Sequence, residues 1–213
     1  HQRSYYVLHA SAVVIDGKAA IFTAASGQGK STMAATLHSR GQRLMTDDIS
    51  AIVLKKSTPP ILLPGFPRVK LWPNSVEPAI RKDPKTLEPL HKTVEKLNYA
   101  IAEGFCQESV PISRIYKLTG GEGENPQVVS LSRQDMVARL IENAYVPMLF
   151  GDEFPSMLSR SQRFRSVLQC ANLAKKVPVC KLERPYSLER LPELASLIER
   201  DLSSPVAKTP AAV

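Results

Sequence analysis

The first half of the chain carries short runs of apolar residues that are typical of β-strands. The run Tyr5–Ile15 is rich in β-branched and aromatic residues, and Asp16–Lys18 after it supplies a hairpin turn. The apolar run Ala19–Ala24 predicts a buried strand, and further strands are predicted in Gln42–Asp48 and Ile49–Lys56. Strands therefore dominate the expected structure of this half.

Helices are predicted in segments with helix-favouring composition or with apolar residues that recur about every 3.6 residues. Ser132, with Asp135 three residues later, forms a capping-box pattern ahead of Met136, Leu140 and Ala144. The other predicted helices cover Lys30–Gly41, Ser75–Arg81, Leu87–Leu97, Phe154–Lys175 and Ser187–Leu202. Two later strands are predicted in Ser109–Gly120 and Val177–Pro185, and a proline-rich connection of short extended pieces in Ser57–Ser75.

The length of 213 residues suits one domain, and an apolar share of 43% is enough for one packed core. We expect a single domain over residues 1–202. The remaining residues, 203–213, have low hydrophobicity and predict a disordered tail.

The formal net charge of +8 favours anionic partners, such as nucleotide phosphates or an acidic peptide. The basic residues are scattered and form no stripe interleaved with aromatic residues, which argues against a nucleic-acid partner.

No apolar run approaches the roughly 18 residues of a membrane span, so no membrane partner is expected. Cys106, Cys170 and Cys180 lack any Cys-x-x-Cys spacing, which predicts free thiols and a cytoplasmic protein.

The segment Phe22–Thr32, FTAASGQGKST, lies between a predicted strand and a predicted helix, which is the context of a phosphate-binding loop. Its glycines let backbone amides approach a polyphosphate, and the helix points its positive end at the same anion. Lys30 would reach the β and γ phosphates, and Ser31 would hold magnesium through its hydroxyl. Ala24 replaces the usual first glycine, which an ordinary backbone torsion allows. A Gly/Ser-rich turn that only caps the helix is the alternative.

The nucleotide-binding positions that this loop predicts are Ser26, Gly27, Gln28, Gly29, Lys30, Ser31 and Thr32. Asp47 and Asp48 close the strand that follows the loop's helix. Two carboxylates beside a phosphate loop suit magnesium-dependent phosphoryl transfer, because one can hold the metal and the other can accept a proton from the incoming hydroxyl. An exposed Asp-Asp turn is the alternative. His9 and Trp72, taken alone, are most typical of core residues.

Three segments in this order, LHASAVVI, AASGQGKST and RGQRLMTDD, resemble the catalytic domain of the bacterial HPr kinase/phosphorylase family. That family reads His-Gly-Val-Leu-Val, Gly-Asp-Ser-Gly-x-Gly-Lys-Ser and Arg-Gly-His-Arg-Leu-x-Ala-Asp-Asp, at the same intervals. The resemblance implies an α/β P-loop kinase domain, akin to phosphoenolpyruvate carboxykinase, with a mixed β-sheet and flanking helices. It places His9 at a catalytic position, Lys30 at a phosphate-binding and catalytic one, Ser31 at a magnesium-binding one and Asp48 at the proton-accepting one. Asp47 is then the carboxylate left for the metal.

The chain also departs from that family. Thr32 stands where the family has Glu, and the family's Leu-Glu-x-Arg-Gly segment, which supports its phosphorylase reaction, is replaced by Pro64–Ser75, PGFPRVKLWPNS. This segment and residues 175–194 resemble the HPr-kinase-related serine kinases of lasso-peptide and other peptide-modification clusters. On that resemblance Arg68 and Lys70, alternate residues of an extended piece, are cations that face the nucleotide's phosphates or a peptide carboxylate. An exposed basic edge is the alternative.

The sequence thus predicts an ATP- and Mg²⁺-dependent phosphotransferase that acts on a Ser or Thr hydroxyl of a peptide or small protein. A ribosomal, lasso-type precursor peptide is the acceptor that the resemblance implies. A small-molecule or pyrophosphate-using kinase with the same core, a non-catalytic nucleotide-binding module and a nucleic-acid-binding protein are the alternatives. The acceptor, the phosphate donor and the roles of Arg163 and Arg165 stay open, as does a homo-oligomer of the kind the hexameric HPr kinases form.

Overall fold

The structure is a computed structural model that describes residues 5–91, 93–121, 123, 125–144 and 160–203. Strands within these residues are β1 (Tyr6–Ile15), β2 (Lys18–Thr23), β3 (Arg43–Thr46), β4 (Ile49–Val53), β5 (Ile61–Leu62), β6 (Arg68–Leu71), β7 (Glu88–His91), β8 (Val94–Ala100), β9 (Val110–Gly120), β10 (Gln127–Ser130) and β11 (Val179–Arg184). The α-helices are α1 (Lys30–Ser39), α2 (Pro73–Ile80), α3 (Arg133–Glu142), α4 (Arg160–Lys176) and α5 (Leu191–Ser203).

The central sheet is mixed, as the sequence predicts. Its strands lie in the order β10-β11-β9-β2-β1-β4-β5, and β3 pairs with β1 as well. Strand β9 runs parallel to both β2 and β11, whereas the other pairs of this sheet are antiparallel. Because β5 also pairs with the start of β9, the strands from β9 through β2, β1, β4 and β5 form a closed ring.

Strand β1 changes partners along its length, and this change positions the two aspartates. Its first half pairs with β4, where His9 lies opposite Ile49. Its second half pairs with β2 and β3, where Ala12 lies opposite Thr46. The short β3–β4 connection, which holds the Asp-Asp pair, therefore crosses beside the middle of β1, close to the loop that follows β2.

Helices cover both faces of this sheet. Neighbouring residues of β2 point to opposite faces, so Phe22 belongs to one buried apolar cluster and Ile21 to another. Residues of α1, α2 and α5 complete the cluster around Phe22, and residues of α3 and α4 complete the cluster around Ile21. The arrangement is a three-layer α/β fold, which confirms the predicted fold class of a mixed sheet with flanking helices.

The helix predicted in Leu87–Leu97 is wrong. This segment forms β7 and β8, which pair with β6 in a separate three-stranded antiparallel sheet. Pairing with β6 lets Leu97 and Tyr99 of β8 pack against the apolar cluster around Phe22. A helix there would leave the edge of β6 without a hydrogen-bonding partner, so tertiary pairing overrides the local spacing.

The remaining predicted elements agree with the structure where it describes them. Asp16 and Gly17 both have positive φ, 49° and 75°, as the tight turn between β1 and β2 requires. Ser132 caps α3, since its hydroxyl accepts a hydrogen bond from the amide of Asp135. Residues 154–159 of the helix predicted in Phe154–Lys175, and the predicted tail from residue 204 onward, lie outside the described residues. None of the described helices has the length and apolar composition that crossing a bilayer requires.

Candidate active site

The loop between β2 and α1 has the backbone that the sequence predicts. Gly27 and Gly29 lie in the left-handed region, at φ of 78° and 80°, where residues with a side chain are strained. Ala24, in contrast, has no positive φ, so its methyl group is tolerated in place of glycine. Gly29 is the N-cap of α1, and the first-turn amides of that helix face the loop. The loop is therefore shaped to present backbone N–H groups to an anion.

Lys30 is the first residue of α1 and is only 5% exposed. Its ammonium donates hydrogen bonds to the carbonyl oxygens of Ala24 and Ala25, at 3.1 and 3.2 Å. Burial lowers the pKa of Lys30 from 10.5 to about 8, although the charge of Asp48 acts in the opposite direction. Because this ammonium is poorly solvated, an anion bound next to it would stabilise its charge more strongly than in water.

Asp47 is tied to the loop and to β6 by hydrogen bonds. Its Oδ1 accepts from the hydroxyls of Ser11 at 2.6 Å and Ser31 at 2.8 Å, and its Oδ2 accepts from the amide of Lys70 at 2.9 Å. Burial and the neighbouring charge of Asp48 raise the pKa of Asp47, and these three hydrogen bonds oppose the rise. The exposed-turn alternative does not fit, because the carboxylate is held by three separate segments.

Asp48 has a strained backbone and a charged partner. Its φ of 68° lies in the left-handed region, which a residue with a side chain rarely adopts. Its Oδ2 lies 2.5 Å from the Lys70 ammonium. Burial acts to raise the pKa of Asp48, but the hydrogen bond and charge of Lys70 outweigh it and hold this pKa below its usual value. The side chain is therefore a carboxylate at neutral pH.

His9 supports the backbone of Asp48. Its Nδ1 lies 3.1 Å from the carbonyl oxygen of Asp48, and because a carbonyl only accepts, Nδ1 carries the proton. Burial, followed by the charge of Lys30, lowers the pKa of His9, so the ring is neutral at pH 7. His9 is thus half-buried beside the site and not an isolated core residue.

Most of the predicted residues meet in one depression of about 50 Å³, which we call the loop pocket. Its lining residues are His9, Ser26, Gly27, Gly29, Lys30, Ser31, Thr32, Asp48, Lys70, Trp72 and Lys96. Gln28 instead turns its carbonyl to the side chain of Arg184, at 2.8 Å.

A second cleft of about 240 Å³ opens on the other side of Asp48. This Asp48 cleft is lined by Thr46, Asp47, Asp48, Ile49, Ala51, Leu63, Pro64, Gly65, Phe66, Arg68 and Lys70. Arg68 and Lys70 project to the same side of β6, as predicted, but Arg68 lines the Asp48 cleft and not the loop pocket, and its guanidinium lies 5.8 Å from the ring centre of Phe66. Its contact with nucleotide phosphates or with a peptide carboxylate stays a prediction.

The oxygen atoms of Ser31 and Asp47 fit a magnesium ion. Mg²⁺ prefers hard oxygen ligands and keeps several of its water and phosphate ligands, so it needs few from the protein. The hydroxyl of Ser31 and Oδ1 of Asp47 are 2.8 Å apart and supply such a pair next to the loop. No group of three or more His, Cys, Asp or Glu side chains among the described residues is arranged to hold a metal by itself.

Four residues of the site were not predicted. Ser11 holds Asp47, Lys96 and Trp72 line the loop pocket, and Arg184 contacts the loop backbone. Trp72 is 40% exposed and lies 5.5 Å from the Lys96 ammonium, so its interpretation as a core residue is wrong. The sequence carries a signal only for Trp72, which falls two residues after Lys70 and so on the same side of the chain.

Comparison with solved structures finds a fold similar to the Hpr(Ser) kinase/phosphatase from Coxiella burnetii. The TM-score is 0.48 and the sequence identity 12%, over 92% of this chain and 89% of that chain. No protein-family model and no curated protein matches the sequence. The chemistry proposed below therefore rests on the site's own geometry.

Proposed function

We propose that the protein is a kinase that transfers the γ-phosphoryl group of ATP, with Mg²⁺, to a Ser or Thr hydroxyl of a peptide or small protein. The observation that carries the proposal is the position of Asp48, whose side chain lines both the loop pocket and the Asp48 cleft. A carboxylate between two pockets can accept a proton from a hydroxyl that enters through one and faces a phosphate held in the other.

The transfer step then follows from the residues present. The acceptor oxygen bonds to the γ phosphorus, the bond from that phosphorus to the β–γ bridging oxygen breaks, and the acceptor proton passes to Asp48. Lys30 and the amides of the loop offset negative charge on the transferred group and on the departing ADP. Magnesium bound by Ser31 and Asp47 would neutralise further phosphate charge. His9 keeps the strained backbone of Asp48 in place through its carbonyl.

The Asp48 cleft favours a peptide as the acceptor. Phe66 is 72% exposed and Ile49 42% exposed at this cleft, so apolar side chains of an acceptor can pack there. Arg68 adds a cation above the Phe66 ring that can pair with an acceptor carboxylate. A combined apolar and cationic cleft suits a peptide segment with an apolar residue and a carboxylate near the phosphorylated hydroxyl. Precursor peptides of the lasso type are the first candidates to test.

The experiment is transfer of label from γ-³²P ATP to a degenerate library of Ser- and Thr-containing peptides. We expect label in peptide when magnesium is present, and none when it is removed by chelation. Phe66→Ala should raise the KM for the peptide and leave the KM for ATP unchanged. Phe164→Ala, at an aromatic residue of α4 that is 66% exposed, should change neither. Label found only in small molecules, or ATP binding with no acceptor labelled, would contradict the proposal.

A further inference from the structure

The small sheet formed by β6, β8 and β7 contributes side chains to the loop pocket, although the loop itself belongs to the central sheet. Lys70 of β6, Trp72 just after it and Lys96 of β8 all line this pocket. Neighbouring residues of a strand point to opposite faces. Leu97 therefore packs against the apolar cluster around Phe22, while Lys96 faces the pocket.

The loop pocket carries more positive than negative charge. Lys30, Lys70 and Lys96 line it together with one carboxylate, Asp48, which leaves a surplus of two positive charges. Lys70 is paired with Asp48, and Lys30 donates to backbone carbonyls. Lys96 forms no ion pair with a carboxylate in the part of the chain that the structure describes. Its ammonium is therefore available to a bound anion.

Trp72 holds the Lys96 side chain at the pocket. The Lys96 ammonium lies 5.5 Å from the ring centre of Trp72, a distance at which the π face attracts a cation. The Lys96 side chain is also partly buried, so fewer of its rotamers are open than on a free surface. Because an aromatic ring carries no net charge, the contact positions the ammonium without neutralising it.

The charge of Lys96 acts on three groups of the site. Burial is the main cause of the lowered pKa values of His9 and Lys30, and the charge of Lys96 lowers both further. Burial acts to raise the pKa of Asp48, but Lys70 holds it low, and Lys96 contributes in the same direction as Lys70. Electrostatic interactions weaken with distance, so the ammonium lies close to His9, Lys30 and Asp48 together.

We propose that Lys96 is a catalytic residue that binds the terminal phosphoryl group of the donor and stabilises its charge during transfer. The inference rests on the proposed function and assigns a further residue to that same site. Lys96 lines the loop pocket but not the Asp48 cleft, which places it on the donor side of the base. The charge of the transferred group is spread over three equatorial oxygens. Lys30 from the loop and Lys96 from the small sheet can therefore act on different oxygens of that group.

The test measures the affinities of ATP and ADP, both with magnesium, by isothermal titration calorimetry. Lys96→Met should weaken ATP binding about tenfold or more and leave ADP binding nearly unchanged, because ADP lacks the terminal phosphoryl group. Single-turnover transfer from saturating ATP to the Ser- and Thr-containing peptide library should slow by roughly 10²–10³-fold. Lys96→Arg, which keeps the positive charge, should restore most of the ATP affinity.

Lys82→Met is the matched control. The Lys82 ammonium also lies over an aromatic ring, 5.2 Å from the centre of Tyr99, but this lysine lines neither the loop pocket nor the Asp48 cleft. We expect Lys82→Met to change neither nucleotide affinity nor the transfer rate. Circular dichroism establishes that each variant is folded.

Equal losses of ATP and ADP affinity in Lys96→Met would overturn the inference, because the lysine would then only support the pocket. Unchanged ATP affinity and transfer rate would overturn it as well, and both results leave the proposed function standing. If the wild-type protein binds ATP but labels no peptide, the proposed function fails, whereas a selective loss of ATP affinity in Lys96→Met still supports the contact with the terminal phosphoryl group. A folded wild-type protein that binds neither nucleotide refutes both proposals.

Discussion

Lys30→Met removes the cation at the centre of the loop while keeping most of the buried side-chain volume. In the folded protein the Lys30 pKa is about 8, against 10.5 for a free lysine, chiefly because of burial. The folded state therefore gives up this proton at lower pH than the unfolded state. Between these two values the unfolded state binds more protons, so the free energy of unfolding rises with pH.

The size of the effect follows from the two pKa values. For a single group with these pKa values, the free energy of unfolding is about 1.3 kcal/mol higher at pH 9 than at pH 7. Solvent screening reduces this difference to about 1 kcal/mol. Other groups that titrate in this range are present in both the wild type and the variant. The quantity to measure is therefore the difference in stability between the two proteins at each pH.

Urea unfolding at pH 7 and pH 9 gives that difference. We expect the free energy of unfolding of the wild type, relative to that of Lys30→Met, to be about 1 kcal/mol higher at pH 9 than at pH 7. Lys18→Met, on an exposed residue of β2, corrects for the loss of one positive charge. Lys30→Met should also lose measurable affinity for ATP and for tripolyphosphate. A stability difference that is the same at both pH values would refute the burial of this ammonium, and retained ATP affinity would refute its role in the loop.

Three further substitutions test the surroundings of the aspartates and the packing of α5. Gly65→Ala places a Cβ 2.3 Å from Thr46 Oγ1, so we expect a loss of about 1–3 kcal/mol in urea unfolding and slower transfer, whereas Gly123→Ala, with no atom nearer than 4.0 Å, should have neither effect. Lys70→Met removes the charge that lowers the Asp48 pKa, so the acid limb of the pH–rate profile should move to higher pH; an unmoved limb contradicts Asp48 as the proton acceptor. Asp201→Asn leaves the buried Arg114 guanidinium without its anion and should lower the free energy of unfolding by about 3 kcal/mol; a loss below about 1 kcal/mol would contradict the buried ion pair.

The sequence locates the loop and the aspartates because their geometry is local. A strand, a glycine-containing turn and a helix bring Lys30 and Ser31 together through neighbouring residues alone, and Asp47 comes directly after the next strand. The fold class, a mixed sheet with flanking helices, is instead what the resemblance of three short segments to the HPr kinase/phosphorylase family implies. His9 shows the limit of such patterns, since its neighbours in the sequence are apolar and only the β1–β4 pairing brings it to Asp48.

Contacts between distant segments could not be predicted. Arg184 reaches the carbonyl of Gln28 only because β11 lies parallel to β9, which in turn lies parallel to β2. The segment Leu87–Leu97 has apolar residues at helical spacing, and pairing with β6 is what makes it a hairpin. Nothing in one sequence specifies which strands pair across the sheet, and the contact between Arg184 and the loop depends on that pairing.

A comparison of Asp48→Asn with Asp47→Asn, in single-turnover transfer from ATP to a peptide acceptor, separates the proposed roles of the two carboxylates. Circular dichroism and ATP titration establish that both variants fold and bind nucleotide. We expect Asp48→Asn to slow transfer by roughly 10²–10⁴-fold with nearly unchanged ATP affinity, because an amide cannot accept the hydroxyl proton. Asp47→Asn should instead raise the magnesium concentration needed for half-maximal transfer. Transfer by Asp48→Asn at a rate close to that of the wild type would contradict the central claim that Asp48 is the base between the two pockets.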